Sequence, residues 1–187
     1  MKTKLFFMIG PTNVGKSYLA DAISNEYPGT YRVSVGKLLR AKYGEAFFNG
    51  QAAPEHTESE ALKLMDTSIS QGIKNRCPIV LIDGQPRSIR QVNYITSKYF
   101  DTGKHECNII LLSCIDLVRM ERLKKRDTTP YKLELSLSRF NDDMIHLYNV
   151  VYSLVLNHWG GNIIPIDNSH CNPLNQFKDF VNFSDEF

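Results

Sequence analysis

Gly10-Pro11-Thr12-Asn13-Val14-Gly15-Lys16-Ser17 is the stretch on which the reading of this chain turns. The apolar run Leu5-Phe6-Phe7-Met8-Ile9 precedes it and reads as a buried strand. Ser17-Tyr18-Leu19-Ala20-Asp21-Ala22-Ile23 follows it and reads as the opening of a helix. Strand, glycine-bounded loop, Lys-Ser and helix together form the context that a phosphate-binding P-loop requires. Gly10 and Gly15 let the backbone turn its N–H groups inward on an anion. The helix N-terminus adds partial positive charge at the same point. Lys16 is placed to reach the β- and γ-phosphates of a nucleoside triphosphate, and the Ser17 hydroxyl to ligate Mg²⁺. A chance strand-turn-helix carrying a lysine is the competing explanation, and the flanking elements weigh against it.

The rest of the chain extends the same pattern. A short strand-like stretch at 31–34 and apolar runs at 79–82, 108–112 and 162–166 alternate with helical periodicity at 57–75, 91–99, 117–125, 135–159 and 174–181. That alternation predicts a parallel α/β sheet. In the helix over 57–75, Leu62, Met65, Ile69 and Ile73 share one face. Pro165 inside the last strand predicts a sheet edge, because proline gives the ladder no N–H. The basic residues from Arg119 to Arg126 fit either a solvated helix face or the lining of a phosphate site.

Composition narrows the classes. A chain of 187 residues with 42% hydrophobic and 22% charged residues predicts one packed domain. A formal net charge of +2 gives no argument for nucleic-acid or membrane binding. The opening Met1-Lys2-Thr3-Lys4 with its apolar run resembles a leader, but reads better as the first strand, since the phosphate loop begins where it ends. No apolar stretch is long enough to span a bilayer. Cys77, Cys107, Cys114 and Cys171 make no C-x-x-C pair and no zinc spacing, so reduced thiols in a cytoplasmic protein are expected. Asp83-Gly84-Gln85-Pro86-Arg87 follows the third strand directly. An acidic residue there is positioned to hold Mg²⁺, usually through water. An ordinary Asp-Gly turn is the alternative.

Taken in order, these residues resemble the nucleoside monophosphate kinases of the adenylate kinase type. The resemblance rests on the P-loop, on Gly36-Lys37-Leu38-Leu39-Arg40 after the second strand, and on Asp83-Gly84-Gln85-Pro86-Arg87 with Gln91 four residues on. Arg122 and Arg126 match the family's spaced arginines, and Arg139 the arginine of the long helix beyond the lid. The resemblance implies a three-layer fold with a five-stranded parallel sheet in the order 2-3-1-4-5. It implies a helical acceptor-binding insertion over 38–75 and a short lid over 127–135 within one domain spanning 1–187. The activity implied is transfer of the γ-phosphate of ATP, with Mg²⁺, to a nucleoside or deoxynucleoside monophosphate. Gly10, Asn13, Val14, Gly15, Lys16, Ser17 and Tyr18 would line the triphosphate, and Arg122 would stack on the ATP base. Arg40 and Arg87 would grip the acceptor phosphate, with Val35, Gly84 and Gln91 around the acceptor. Lys16, Arg87, Arg126 and Arg139 would be catalytic, and Ser17 and Asp83 would hold the metal. Gln91 makes adenine the leading acceptor base, with guanine and pyrimidines open.

The departures gather on the acceptor side. Gln85 replaces an apolar residue, Lys37 an aspartate and Val35 a threonine. Asn13 stands at a common glycine, Ser17 follows Lys16 where many relatives have Gly-Thr, and Lys132 is the basic residue of the lid. The absence of lid cysteines excludes the zinc-bearing type. Two other readings stand beside this one: a P-loop kinase of another small metabolite, against which the Asp83 to Gln91 signature argues, and, from Gln85, Lys37 and the reduced lid, a non-catalytic ATP-binding protein on the same scaffold. No partner beyond the nucleotides is indicated, and a monomer is expected.

Overall fold

The computed structural model describes residues 2–44, 56–127, 129–138, 140–156, 159–170 and 172–184. Five strands, β1 (Lys4–Ile9), β2 (Tyr31–Ser34), β3 (Ile79–Asp83), β4 (Glu106–Ser113) and β5 (Asn162–Asp167), form one sheet. Its order is β2-β3-β1-β4-β5, and every pairing is parallel. The predicted order is therefore the observed one, and Pro165 lies in the edge strand β5.

The helices are α1 (Lys16–Glu26), α2 (Val35–Tyr43), α3 (His56–Lys74), α4 (Ile89–Ile95), α5 (Asp116–Arg126), α6 (Pro130–Ser138), α7 (Phe140–Leu156) and α8 (Pro173–Ser184). Alternation along β1 divides the core between two faces. Leu5, Phe7 and Ile9 point into one cluster with Leu39, Met65, Ile69, Val92, Val150 and Leu154 of α2, α3, α4 and α7. Phe6 and Met8 point into the other with Leu19, Ile23, Phe177 and Val181 of α1 and α8. Coverage on both faces explains why the β1 sequence is continuously apolar instead of alternating.

Two helical expectations change. The 91–99 segment begins earlier, at Ile89, where the Ser88 side chain accepts the Gln91 N–H as a cap, and it ends in a π-helical turn over Thr96–Phe100. The long pattern over 135–159 is two helices, the first opening at Pro130, where a first-turn proline loses no needed N–H. Trp159 lies beyond the helix and stacks on Phe100 with centroids 4.9 Å apart.

The connections place the chemistry. From β1 the chain moves to β2 on one side, and from β3 it crosses to β4 on the other. The carboxyl ends of the adjacent strands β1 and β3 therefore flank the switch point, where doubly wound sheets bind ligands. Met8 pairs with Asp83 across these strands, so the sheet register itself brings Asp83 beside the phosphate loop.

Candidate phosphoryl-transfer site

The loop between β1 and α1 has the backbone that its residue types suggest. Gly10 and Gly15 have φ of 151° and 100°, and Asn13 adopts φ of 64°. Asparagine is among the few side-chain-bearing residues that enter this left-handed region readily, so it can replace the glycine common at this position. Lys16 folds back across the loop, and its Nζ donates to the Gly10 and Pro11 carbonyls at 2.7 and 2.8 Å. Burial and the nearby Arg87 charge draw its ammonium down from 10.5 to about 8, against the opposing pull of Asp83 and Asp143.

Ser17 opens α1, and its Oγ donates to Asp83 Oδ2 at 3.2 Å. These two oxygens are of the kind that suits a hard divalent cation. Among the described residues no cluster of three or more His, Cys, Asp or Glu side chains is arranged to hold a metal. Asp83 is almost wholly buried and also accepts Arg32 Nη2 at 3.0 Å.

The turn after β3 is held internally. Gly84 N–H donates to Met8 O at 3.1 Å, and Arg87 Nε donates to Gly84 O at 2.8 Å. Gln91 is 5% exposed, and its Oε1 accepts the Arg87 N–H at 2.6 Å. Arg87 itself is exposed and lines a cleft of about 290 Å³ with Glu58, Ser88 and, from α7, His146 and Asn149.

The helix α5 supplies three arginines with different surroundings, so neither the solvated-face nor the site-lining reading holds for the whole basic run. Arg119 is fully buried. It pairs with Asp116 at 2.8 Å, donates through Nε to Thr12 O at 3.3 Å, and lies 3.9 Å from the Phe140 ring centroid. Arg122 reaches the loop, donating to Val14 O at 3.3 Å and to Asn168 O at 2.8 Å. Arg126 forks onto Asp127 at 2.8 and 2.6 Å, and that carboxylate pushes its pKa upward. Lys124 and Lys125 are solvated.

The structure thus gathers Gly10, Asn13, Val14, Gly15, Lys16, Ser17, Asp83, Gly84 and Arg87 at one strand-end site, with Arg122 behind the loop. Tyr18 projects outward at 63% exposure, Val35 lies in the core, and Arg40 sits in α2. Arg139 lies outside the described residues. So does part of the 38–75 segment.

Four contributors were not legible as such. Asn168 follows β5, and its Nδ2 donates to Val14 O at 2.8 Å. Asp143, in the first turn of α7, accepts the Thr12 N–H at 3.1 Å. Arg119 looked like any other basic residue of its run. Arg32 carried the one available signal, a charge inside a strand of a covered sheet.

No family model matches the chain. An adenylate kinase from Mycoplasmopsis pulmonis (strain UAB CTIP) is 25% identical over 138 residues, which cover 68% of this chain and 60% of that protein. The chain spans about three fifths of the length of this curated relative. With the sheet order and the loop, this similarity supports a relationship to the P-loop kinases. Among the described residues no helix is long and apolar enough to cross a membrane.

Proposed function

We propose that this protein transfers the γ-phosphoryl group of ATP to a nucleoside or deoxynucleoside monophosphate, releasing ADP and a nucleoside diphosphate. The observation that carries the reading is the convergence of Lys16, Ser17, Asp83 and Arg87 at the ends of β1 and β3, with Ser17 Oγ 3.2 Å from Asp83 Oδ2. A phosphate oxygen of the acceptor attacks the γ-phosphorus, and the bond to the β–γ bridging oxygen breaks toward ADP. The protein's work in such a reaction is positioning and charge neutralisation.

Lys16 gives up the Gly10 and Pro11 carbonyls for phosphate oxygens. The loop N–H groups and the start of α1 receive the rest of the triphosphate. Ser17 and Asp83 would hold Mg²⁺, which would supply charge neutralisation for the triphosphate. Arg87 and Arg40 take the acceptor phosphate, and Arg126 and Arg139 bridge the group in flight. Arg126 must exchange the Asp127 carboxylate for phosphate to do so. Gln91 has committed its oxygen to Arg87 N–H, which leaves its amide nitrogen to meet the acceptor base. The segments 38–75 and 127–135 act as acceptor-binding insertion and lid, and their closure keeps water from the phosphoryl group. A cytoplasmic monomer completes the reading.

The test is ADP formation from ATP and Mg²⁺ across all ribo- and deoxynucleoside monophosphates, with products identified by mass. Diphosphate is expected from one or a few acceptors, and Arg87→Ala should cost roughly 10² to 10³ in rate. Silence across the panel, with ATP binding intact, would refute the proposal.

A further inference from the structure

We propose that Arg32 is a positioning residue that makes metal binding at Ser17 and Asp83 depend on nucleotide phosphates. The inference rests on the kinase reading for the purpose of that oxygen pair. Arg32 lies in β2, the edge strand that pairs with β3. Its side chain is only 17% exposed. Nη2 donates at 3.0 Å to Asp83 Oδ2, the same oxygen that Ser17 Oγ faces at 3.2 Å. Nη1 is bonded to Asp21 on α1, so the fork is anchored at both arms. Nε is buried without a partner, a cost that the fold carries to keep a guanidinium here.

The consequence is electrostatic. A free divalent cation on Asp83 Oδ2 would stand a few ångströms from a fixed positive charge, in surroundings that screen poorly. Asp83 meets that repulsion with an oxygen already engaged by the Arg32 guanidinium, so a cation there must share it with a fixed positive charge. A triphosphate brings several negative charges to the same point and restores the balance. The metal therefore enters with the nucleotide, and the resting site does not trap cations. Asp21 keeps Arg32 from swinging clear when the cation arrives.

The probe is Mn²⁺, titrated into the nucleotide-free protein and followed by the paramagnetic resonance of the free ion. Wild type should bind weakly, and Arg32→Met, which keeps the length and loses the charge, about tenfold more tightly. Adding Asp83→Asn to Arg32→Met should abolish the gain, and Arg32→Lys should bind as weakly as wild type. A folded Arg32→Met with unchanged or weaker Mn²⁺ binding overturns the inference. If Arg32→Met does not fold, Arg32→Gln, which keeps a polar fork beside Asp83 and loses the charge, takes its place. Mn²⁺ affinity should again rise about tenfold, and no rise overturns the inference. With ATP present, a protein-bound Mn²⁺–nucleotide spectrum that ignores Asp83→Asn would overturn the metal reading as well. An Asp83-dependent spectrum there, with no gain in nucleotide-free Arg32→Met, overturns the Arg32 role alone.

Discussion

Gly15→Ala should destabilise the fold through two separable contacts with its surroundings. Gly15 has φ of 100° and ψ of 22°, and forcing an alanine there costs about 1–2 kcal/mol. A Cβ at this position would also stand 2.1 Å from Asn168 Nδ2. Asn168 cannot shift as a unit, because its N–H is bonded to Ser113 O at 2.9 Å and its carbonyl accepts Arg122 at 2.8 Å. Its side chain must rotate away and lose the 2.8 Å bond to Val14 O, leaving a buried amide unpaired at a cost of about 1–3 kcal/mol. The sum is about 2–5 kcal/mol, or a fall in melting temperature of roughly 7–14 °C at its midpoint for a chain this size. Thermal and urea unfolding measure it, and the second variant Asn168→Ala separates the two parts. If the clash operates, the double variant is less destabilised than the sum of the singles by about 1 kcal/mol or more. Strict additivity would refute the clash, and an undisturbed Gly15→Ala would refute both contacts.

Lys16 gives a pH signature. A lysine drawn down to about 8 in the fold is penalised while protonated, so the nucleotide-free protein should gain stability between about pH 8 and 10.5. Lys16→Met should lack that gain, and parallel stability curves for the two proteins across the window would contradict the assigned burial. Gly161→Ala would put a Cβ 2.2 Å from the Cys107 carbonyl oxygen, whereas a Cβ at Gly103 meets nothing within 4 Å. The first should cost about 3 kcal/mol or more and the second, where φ is 60°, only the backbone strain of about 1–2 kcal/mol, and equal melting temperatures would negate this. Burial pushes the Cys107 thiol up to about 12, so iodoacetamide at pH 8 should leave it unmodified until the protein unfolds. Rapid labelling of native Cys107 would show the strand to be more open than described.

The sheet was legible because most of its strands are apolar runs bounded by punctuation, and β3 begins where its run begins. Strand order followed from the resemblance of the motifs, and the phosphate loop from its glycine spacing. The boundary between α6 and α7 was not legible, because helical periodicity continues on both sides of residue 139 and Pro130 is neutral at a first turn. At the site, local motifs announced Lys16, Ser17 and Asp83. Asn168, Asp143 and Arg119 reach the loop from 107 to 154 residues away in the chain, so no local pattern can mark them. Gln91 shows the converse: a motif position named it, but only the fold reveals that its oxygen is occupied by Arg87.

Thr12 is gripped through both of its flanking peptides, its N–H by Asp143 and its carbonyl by Arg119, which itself lies against Phe140. Loop and helix are thus geared together at a single residue. A swing of α7 cannot begin without tugging that residue, and an anion arriving in the loop is felt at the root of α7. The Thr12 amide proton becomes a natural timer for this stroke. Its deuterium exchange counts the occasions on which the gear disengages, and so reports opening from inside the loop without any label on the moving helix.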